Sequence, residues 1–329
     1  MDVLILLPSG TLMGGNRTTA NRYAQLLEAL GHTVTIHDQL ADERPGVLIA
    51  IHALKSHEAL SKFHTLHPGI PTVLVLAGTD IYPEPSKLAL QSIRIADRLV
   101  VLQDSALRKI PAENREKART IIQSAEAAPG PQAGRSSESF DICVVGHLRP
   151  VKDPLRAAAA ARQLPPTSTI RIQHAGGIRG EEFAALVERE QVENPRYTWL
   201  GELPAAQARE LIAASRLQVL SSITEGGAQV LGESIVSGTP LLASRHDAAL
   251  SLLGEDYPGL FDIGDTGHLA ALMIRAETEL AFLAELQSRT HSLAGQFDPQ
   301  RARDAWCDLL SELCYQPSGT MSSPDEQSD

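Results

Sequence analysis

Leu217-Gln218-Val219-Leu220-Ser221-Ser222-Ile223-Thr224-Glu225-Gly226-Gly227-Ala228-Gln229-Val230-Leu231-Gly232-Glu233 reads as a strand, a glycine turn and the start of a helix. Gly226 and Gly227 remove the Cβ atoms that would hold a ligand off the backbone. The helix that follows aims its free N–H groups and positive dipole end at that turn, so an anion is the natural guest. Glu225 and Glu233 are eight residues apart, which puts one carboxylate at the strand end and the other two turns into the helix. Carboxylates bind hydroxyls, so the combination suits a ribose or sugar beside a diphosphate. The plainer alternative is a helix start whose glutamates are favoured by the dipole.

Working outward, short apolar runs alternate with helical stretches along most of the chain. Val3–Leu7, Val34–His37, Val47–Ile51, Thr72–Leu76, Leu99–Leu102 and Thr120–Ile122 read as strands, with a helix over Arg17–Leu30 stopped by Gly31. After a stretch of Ala, Pro, Gly and Ser the alternation restarts. Phe140–Val145, Ile170–His174, Tyr197–Leu200, Leu217–Leu220 and Leu241–Ala243 read as strands, and Pro154–Leu164, Glu181–Glu193 and Pro204–Ser215 as helices. Leu269–Leu293 and Pro299–Leu313 read as further helices. The pattern predicts an α/β fold of two Rossmann-like domains facing a central cleft, with ligands at the carboxyl ends of both sheets. The expected division is residues 1–125 for the first domain, 126–139 for a linker and 140–298 for the second domain. A helix over 299–315 packs back on the first, and 316–329 is a disordered tail.

Composition narrows the function classes. The 329 residues carry a formal net charge of −11 with 43% hydrophobic and 21% charged residues, an ordinary globular balance that disfavours a nucleic-acid or anionic-membrane surface. Cys143, Cys307 and Cys314 form no CxxC and leave an odd count, which fits packing in a reducing compartment. No run approaches the ~18 apolar residues of a membrane span, and Met1-Asp2 runs straight into a strand without a basic leader. The expectation is a soluble, cytoplasmic protein.

Each domain offers particular groups to the cleft. After the first strand, Gly10, Gly14 and Gly15 precede Asn16-Arg17-Thr18-Thr19; the spacing is not GxGxxG and the second strand ends in His37-Asp38, so a dinucleotide site is disfavoured. A loop closing on an acceptor or phosphate fits better. His52 and Lys55 follow the third strand and Gly78-Thr79-Asp80 the fourth, with Asp80 able to cap a helix or orient a neighbour. In the second domain Gly146-His147-Leu148-Arg149-Pro150-Val151-Lys152-Asp153 sets two fixed cations, Arg149 and Lys152, where they can neutralise a diphosphate leaving group. With no DxD pair and no ligand cluster among 11 histidines, the expectation is metal-independent chemistry with no cofactor. Glu233 would bind ribose hydroxyls, and Glu225 would lie nearer the sugar.

On the Glu-x7-Glu from Glu225 to Glu233, the Gly146–Lys152 segment and the last helix, the chain resembles two-Rossmann glycosyltransferases of the GT-B fold and the family-4-like class. Many of these have Arg directly after the glycine; here His147 stands there and Arg149 two residues later, while Lys152 matches in place. A tighter resemblance covers about Leu6 to Leu313. Gly15–Ala20, Ile51-His52-Ala53, Gly78–Tyr82, Ala96–Gln103, Gln123–Ala125, Gly146–Pro154, Trp199–Leu203 and Glu225–Ala228 are similar to the selenosugar synthases of selenoneine biosynthesis, with Gln229 and Ser234 as departures where Asn and Ala are expected.

That resemblance implies transfer of a sugar from a UDP-sugar, UDP-N-acetylglucosamine foremost, to selenophosphate, forming a C–Se bond. With the groups read above, the donor site would comprise His147, Arg149, Lys152, Glu225, Gly226, Gly227, Ala228 and Glu233. Gly14, Gly15, Asn16, Arg17, His52, Lys55, Thr79 and Asp80 would hold the acceptor, and His52, Arg149, Lys152 and Glu225 would serve the chemistry. The alternatives are a conventional hexosyltransferase acting on a hydroxyl, a nucleotide-sugar epimerase of the same fold, or a binding protein without turnover.

Overall fold

The computed structural model describes residues 1–8, 14–40, 43–128 and 138–314. Gly10, the middle of the expected linker, the Cys314 side chain and the expected tail lie outside the described residues. Among the described residues there are two six-stranded sheets, every pairing parallel. The first comprises β1 Asp2–Leu6, β2 Thr33–His37, β3 Val47–Ile51, β4 Thr72–Val75, β5 Arg98–Val101 and β6 Ala118–Thr120, ordered β2-β1-β3-β4-β5-β6. The second comprises β7 Phe140–Val145, β8 Ile170–Ala175, β9 Tyr197–Trp199, β10 Leu217–Leu220, β11 Leu241–Ser244 and β12 Leu260–Phe261, ordered β12-β11-β10-β7-β8-β9. This is an α/β fold of two parallel-sheet domains, as the alternation of strands and helices predicts.

The helices are α1 Gly15–Ala29, α2 His57–Leu66, α3 Lys87–Ile95, α4 Arg156–Ala161, α5 Glu182–Glu193, α6 Ala205–Ala214, α7 Gln229–Val236, α8 Asp247–Leu253, α9 Thr266–Thr278, α10 Leu280–Ser292 and α11 Pro299–Cys314. The central strands are covered on both faces, so β3 and β10 are buried throughout; β3 reads as an unbroken apolar run, and β10 is interrupted by the buried Gln218. Gly31 takes φ +84 directly beyond the end of α1, the left-handed stop that its position in the sequence called for. None of these helices is long and apolar enough to cross a membrane.

Besides helix and strand ends that shift by one to three residues, such as α4 at Arg156–Ala161 against the expected 154–164, the structure departs from the sequence expectation as follows. β6 lies earlier, at Ala118–Thr120, because its ladder to β5 begins with Leu99↔Ala118. The expected helix over 269–293 breaks into α9 and α10 at Glu279, which is extended at φ −106, ψ 94. β12 was not anticipated, since two residues carry no periodicity.

α11 leaves the second domain and covers the first. Trp306 is fully buried against Tyr23 of α1 at a centroid distance of 4.8 Å, and Leu309, Leu310 and Leu313 join the same core as Val3, Ile5 and Leu27. Glu312 adds ion pairs to Arg98 (3.1 Å) and Arg119 (2.8 Å) at the far edge of that sheet.

Candidate active site

The segments after the carboxyl ends of β4 and β5 meet those after β10 and β11 across a narrow seam. Gly226 lies directly on the first domain: a Cβ built there would sit 2.1 Å from the Ala77 carbonyl oxygen, and one on Gly78 would sit 2.5 Å from the Gly226 amide nitrogen. A Cβ on Gly227 would meet Leu102 at 2.9 Å. The paired glycines therefore let two backbones approach at van der Waals distance, a use the sequence reading had reserved for ligand approach. Ala228 completes the turn with φ +42 and leads into α7.

Glu225 forms an ion pair with Lys152 and accepts from the Ser222 hydroxyl at 2.5 Å. Burial alone would raise its carboxyl pKa, but Lys152 and Ser222 outweigh burial and hold it below the ordinary range. Lys152 thus meets a carboxylate in this structure, where the sequence reading gave it to a diphosphate. Arg149 is beside it, with a buried Nε that has no hydrogen-bond partner. His147 accepts the Gly177 amide on Nδ1 at 3.2 Å, joining the turns after β7 and β8. Burial, followed by the Arg179 charge, lowers its pKa and keeps the ring neutral.

Glu233 faces the first domain, where Arg22 of α1 reaches its Oε1 at 3.3 Å. Burial raises the Glu233 pKa, opposed by Arg22 and Arg209. Beside this pair, Gln229 Nε2 donates to Thr19 Oγ1 (3.0 Å) and to Gln123 Oε1 (2.9 Å), so Gln229 spans the two domains.

On the first domain His52 takes φ +78, a left-handed conformation costly for a side chain of this size and characteristic of sites. Its Nδ1 accepts the Lys55 amide at 3.3 Å, so Nε2 carries the proton and donates to Thr79 Oγ1 at 3.1 Å. Burial lowers its pKa, with the Asp80 carboxylate pulling the other way. Asp80 itself accepts the backbone amides of Ala53 (2.7 Å), Gly78 (2.7 Å) and Ala77 (3.1 Å). Its carboxylate is buried inside its own loop, where it orients the loops after β3 and β4 and does not reach into the cleft. Thr79 and Lys55 are exposed at the rim, and Gly14, Gly15, Asn16 and Arg17 form the end of the glycine loop and the first turn of α1.

Three groups escaped the sequence reading. His174 is buried, takes the Tyr197 hydroxyl on Nδ1 (2.8 Å) and supports the Gly146 carbonyl through Nε2 (3.1 Å). His246, at the end of β11, accepts the Ala249 amide on Nδ1 at 3.3 Å and leaves a buried, unpartnered Nε2 near Glu225 and Lys152. A histidine directly after a strand and before a helix was the available signal. Arg22 gave no signal, because its partner is 211 residues away. Among the described residues no group of three or more His, Cys, Asp or Glu is arranged to hold a metal ion.

Residues 131–289 match the model of the family Glycosyl transferases group 1. No curated protein matches the sequence. Among solved structures, Anabaena Alr3699/HepE in complex with UDP and glucose aligns with a TM-score of 0.75 at 18% identity, covering 95% of this chain and 100% of that one. Sucrose-phosphate synthase from Thermosynechococcus elongatus aligns at 0.74 and 15% identity, over 95% and 99% of the two chains. A glycosyltransferase from Rickettsia africae aligns at 0.72 and 11% identity, over 96% and 99%. At such identities the likeness speaks for the GT-B fold, and the family match spans most of the second domain.

Proposed function

We propose that this glycosyltransferase moves a sugar from a UDP-sugar, UDP-N-acetylglucosamine foremost, to selenophosphate. The observation that carries the reading is the meeting of Lys152, Glu225 and the Gly226-Gly227 turn with the His52–Thr79 pair across one seam, through the contact of Gly226 with Gly78. The motif stretches behind the selenosugar-synthase resemblance supply the acceptor; UDP complexes of the HepE fold relative support the donor.

In this reading Arg149, Lys152 and the amides at the start of α7 receive the diphosphate, replacing the charge a metal would supply. Glu233 takes the ribose hydroxyls, and Glu225 the sugar. A selenium lone pair of selenophosphate forms the C1–Se bond while the C1–O bond breaks, its electron pair leaving on the β-phosphate oxygen of UDP. Selenophosphate is already an anion and a soft nucleophile, so positioning and charge balance matter more than a general base. The neutral, hydrogen-bonded His52 suits that positioning task.

The test is mass spectrometry of products from purified protein, UDP-N-acetylglucosamine and fresh selenophosphate, with a chelator present and UDP release followed in parallel. A selenium-containing sugar formed with UDP supports the proposal and its metal independence together. UDP release only with a hydroxyl acceptor transfers the function to a conventional hexosyltransferase, for which UDP-glucose, bound in the HepE relative, is the first donor to try.

A further inference from the structure

Arg22 has no part in the reaction as described, yet its setting is that of a ligand-binding arginine. It rises from α1 into the seam between the domains, with its side chain and that of Glu233 each 13% exposed. Its one ion pair, Nη2 to Glu233 Oε1, is 3.3 Å long, loose against the 2.7–2.9 Å typical of a charge-assisted bond. Among the described residues Nη1 is buried with no hydrogen-bond partner. A guanidinium offers a planar fork of five N–H donors, and here the Nη1 end of that fork is unused and shut off from water.

The surroundings favour an oxyanion as the missing guest. Thr19, one helical turn before Arg22, presents a hydroxyl held by Gln123 and Gln229 at 3.0 Å each. Glu233 would not be stranded by losing Arg22: Arg209 of α6, whose own pair with Glu126 is 3.4 Å long, also bears on it.

We propose that Arg22 is an acceptor-binding residue, released from Glu233 when the ribose of a bound UDP-sugar engages that carboxylate, and then free to bind the phosphate group of an anionic acceptor in bidentate fashion. The proposal rests on the UDP-sugar reading of Glu233. It makes donor binding precede acceptor binding, because the acceptor's cation is occupied until the nucleotide arrives, and by reciprocity a bound anion tightens UDP.

The test uses the full chain and inorganic phosphate as probe, titrated calorimetrically with and without saturating UDP. UDP should strengthen phosphate binding to the wild type. In UDP-saturated protein, Arg22→Gln should weaken phosphate by about 10- to 100-fold, the worth of charged hydrogen bonds, while UDP affinity in the absence of phosphate stays within about threefold; Arg22→Lys should recover part of the loss. Glu233→Gln should strengthen phosphate binding in the absence of UDP, since Arg22 is then free. Equal phosphate affinity in wild type and Arg22→Gln, with both proteins melting cooperatively, overturns the proposal; so does a tenfold loss of UDP affinity in Arg22→Gln with phosphate binding unchanged, which would make Arg22 a support for Glu233 alone. Wild-type protein that binds no UDP refutes the donor reading instead, a result separable from either of these.

Discussion

Substituting Gly226 with alanine is a direct probe of the seam. The new Cβ would lie 2.1 Å from the Ala77 carbonyl oxygen, 2.6 Å from the Ala77 carbonyl carbon and 3.0 Å from Gly78 Cα, all backbone atoms that no rotamer change can move. Ordinary contact begins at 3.4 Å, so the surfaces must part by about 1.3 Å (3.4 − 2.1). Each domain has its own core, and the cheapest relief is opening of the cleft, which would stretch the Gln229–Thr19 and Arg22–Glu233 contacts on the same interface. Misplacing reacting groups by ~1 Å costs on the order of 100-fold in rate, equivalent to about 2.7 kcal/mol of barrier. The expected result is a kcat/KM for UDP release about 100-fold below wild type, with the thermal midpoint within a few degrees of it. Gly69→Ala, whose Cβ meets nothing within 4 Å, serves as control. Gly227→Ala, which presses on the movable Leu102 side chain, should cost about tenfold. Gly226→Ala retaining turnover within threefold of wild type would refute the argument that this backbone contact belongs to the working geometry.

Other expectations concern charge and packing. Lys152→Met leaves the buried Glu225 carboxylate without its cation and should destabilise the protein by about 3 kcal/mol in urea unfolding; adding Glu225→Gln should restore most of that stability while turnover stays lost. His174 and His246 both have pKa values lowered by burial to about 4, so above about pH 7.5 they contribute no pH dependence. As pH falls from 6.5 towards 4 the unfolded chain binds protons the folded one refuses, and stability falls. By linkage each histidine should cost about 2 kcal/mol by pH 5, and His246→Asn should flatten the pH dependence of the urea midpoint. Trp306→Ala should cost about 3–5 kcal/mol by loss of a fully buried indole. His52→Ala should lower turnover without moving the pH profile through the neutral range, because the imidazole is already neutral there.

The legible part of the fold was what burial writes locally. β3 and β10 are flanked by strands and covered by helices on both faces, so Val47–Ile51 appears as an apolar run with sharp ends and Leu217–Leu220 as one broken only by Gln218. The turn at Gly226-Gly227 was equally visible. The break at Glu279 was not, because neither glycine nor proline marks it and the apolar periodicity continues through it. In the candidate site, sequence could nominate His52, Lys152 and Glu225 as strand-end residues, since such ends converge in parallel sheets. It could not show that Asp80 is consumed by three backbone amides, because that depends on how the loops after β3 and β4 fold beside each other, or that Glu233 meets Arg22, because that depends on how two sheets face one another.

The placement of α11 has a consequence for biosynthesis. Trp306, Leu309, Leu310 and Leu313 belong to the core that covers one face of β1, β3 and β4, though those strands end by Val75. During translation the first domain therefore emerges with an apolar face uncovered, and it stays uncovered until the whole second domain has been made. A domain normally completes itself as it leaves the ribosome; this one is held open by the order of its chain, so closure of its core and docking of the two domains fall at the same late moment. Full burial of the Trp306 indole therefore reports on the assembled enzyme as a whole, and its fluorescence in refolding should change with the docking phase.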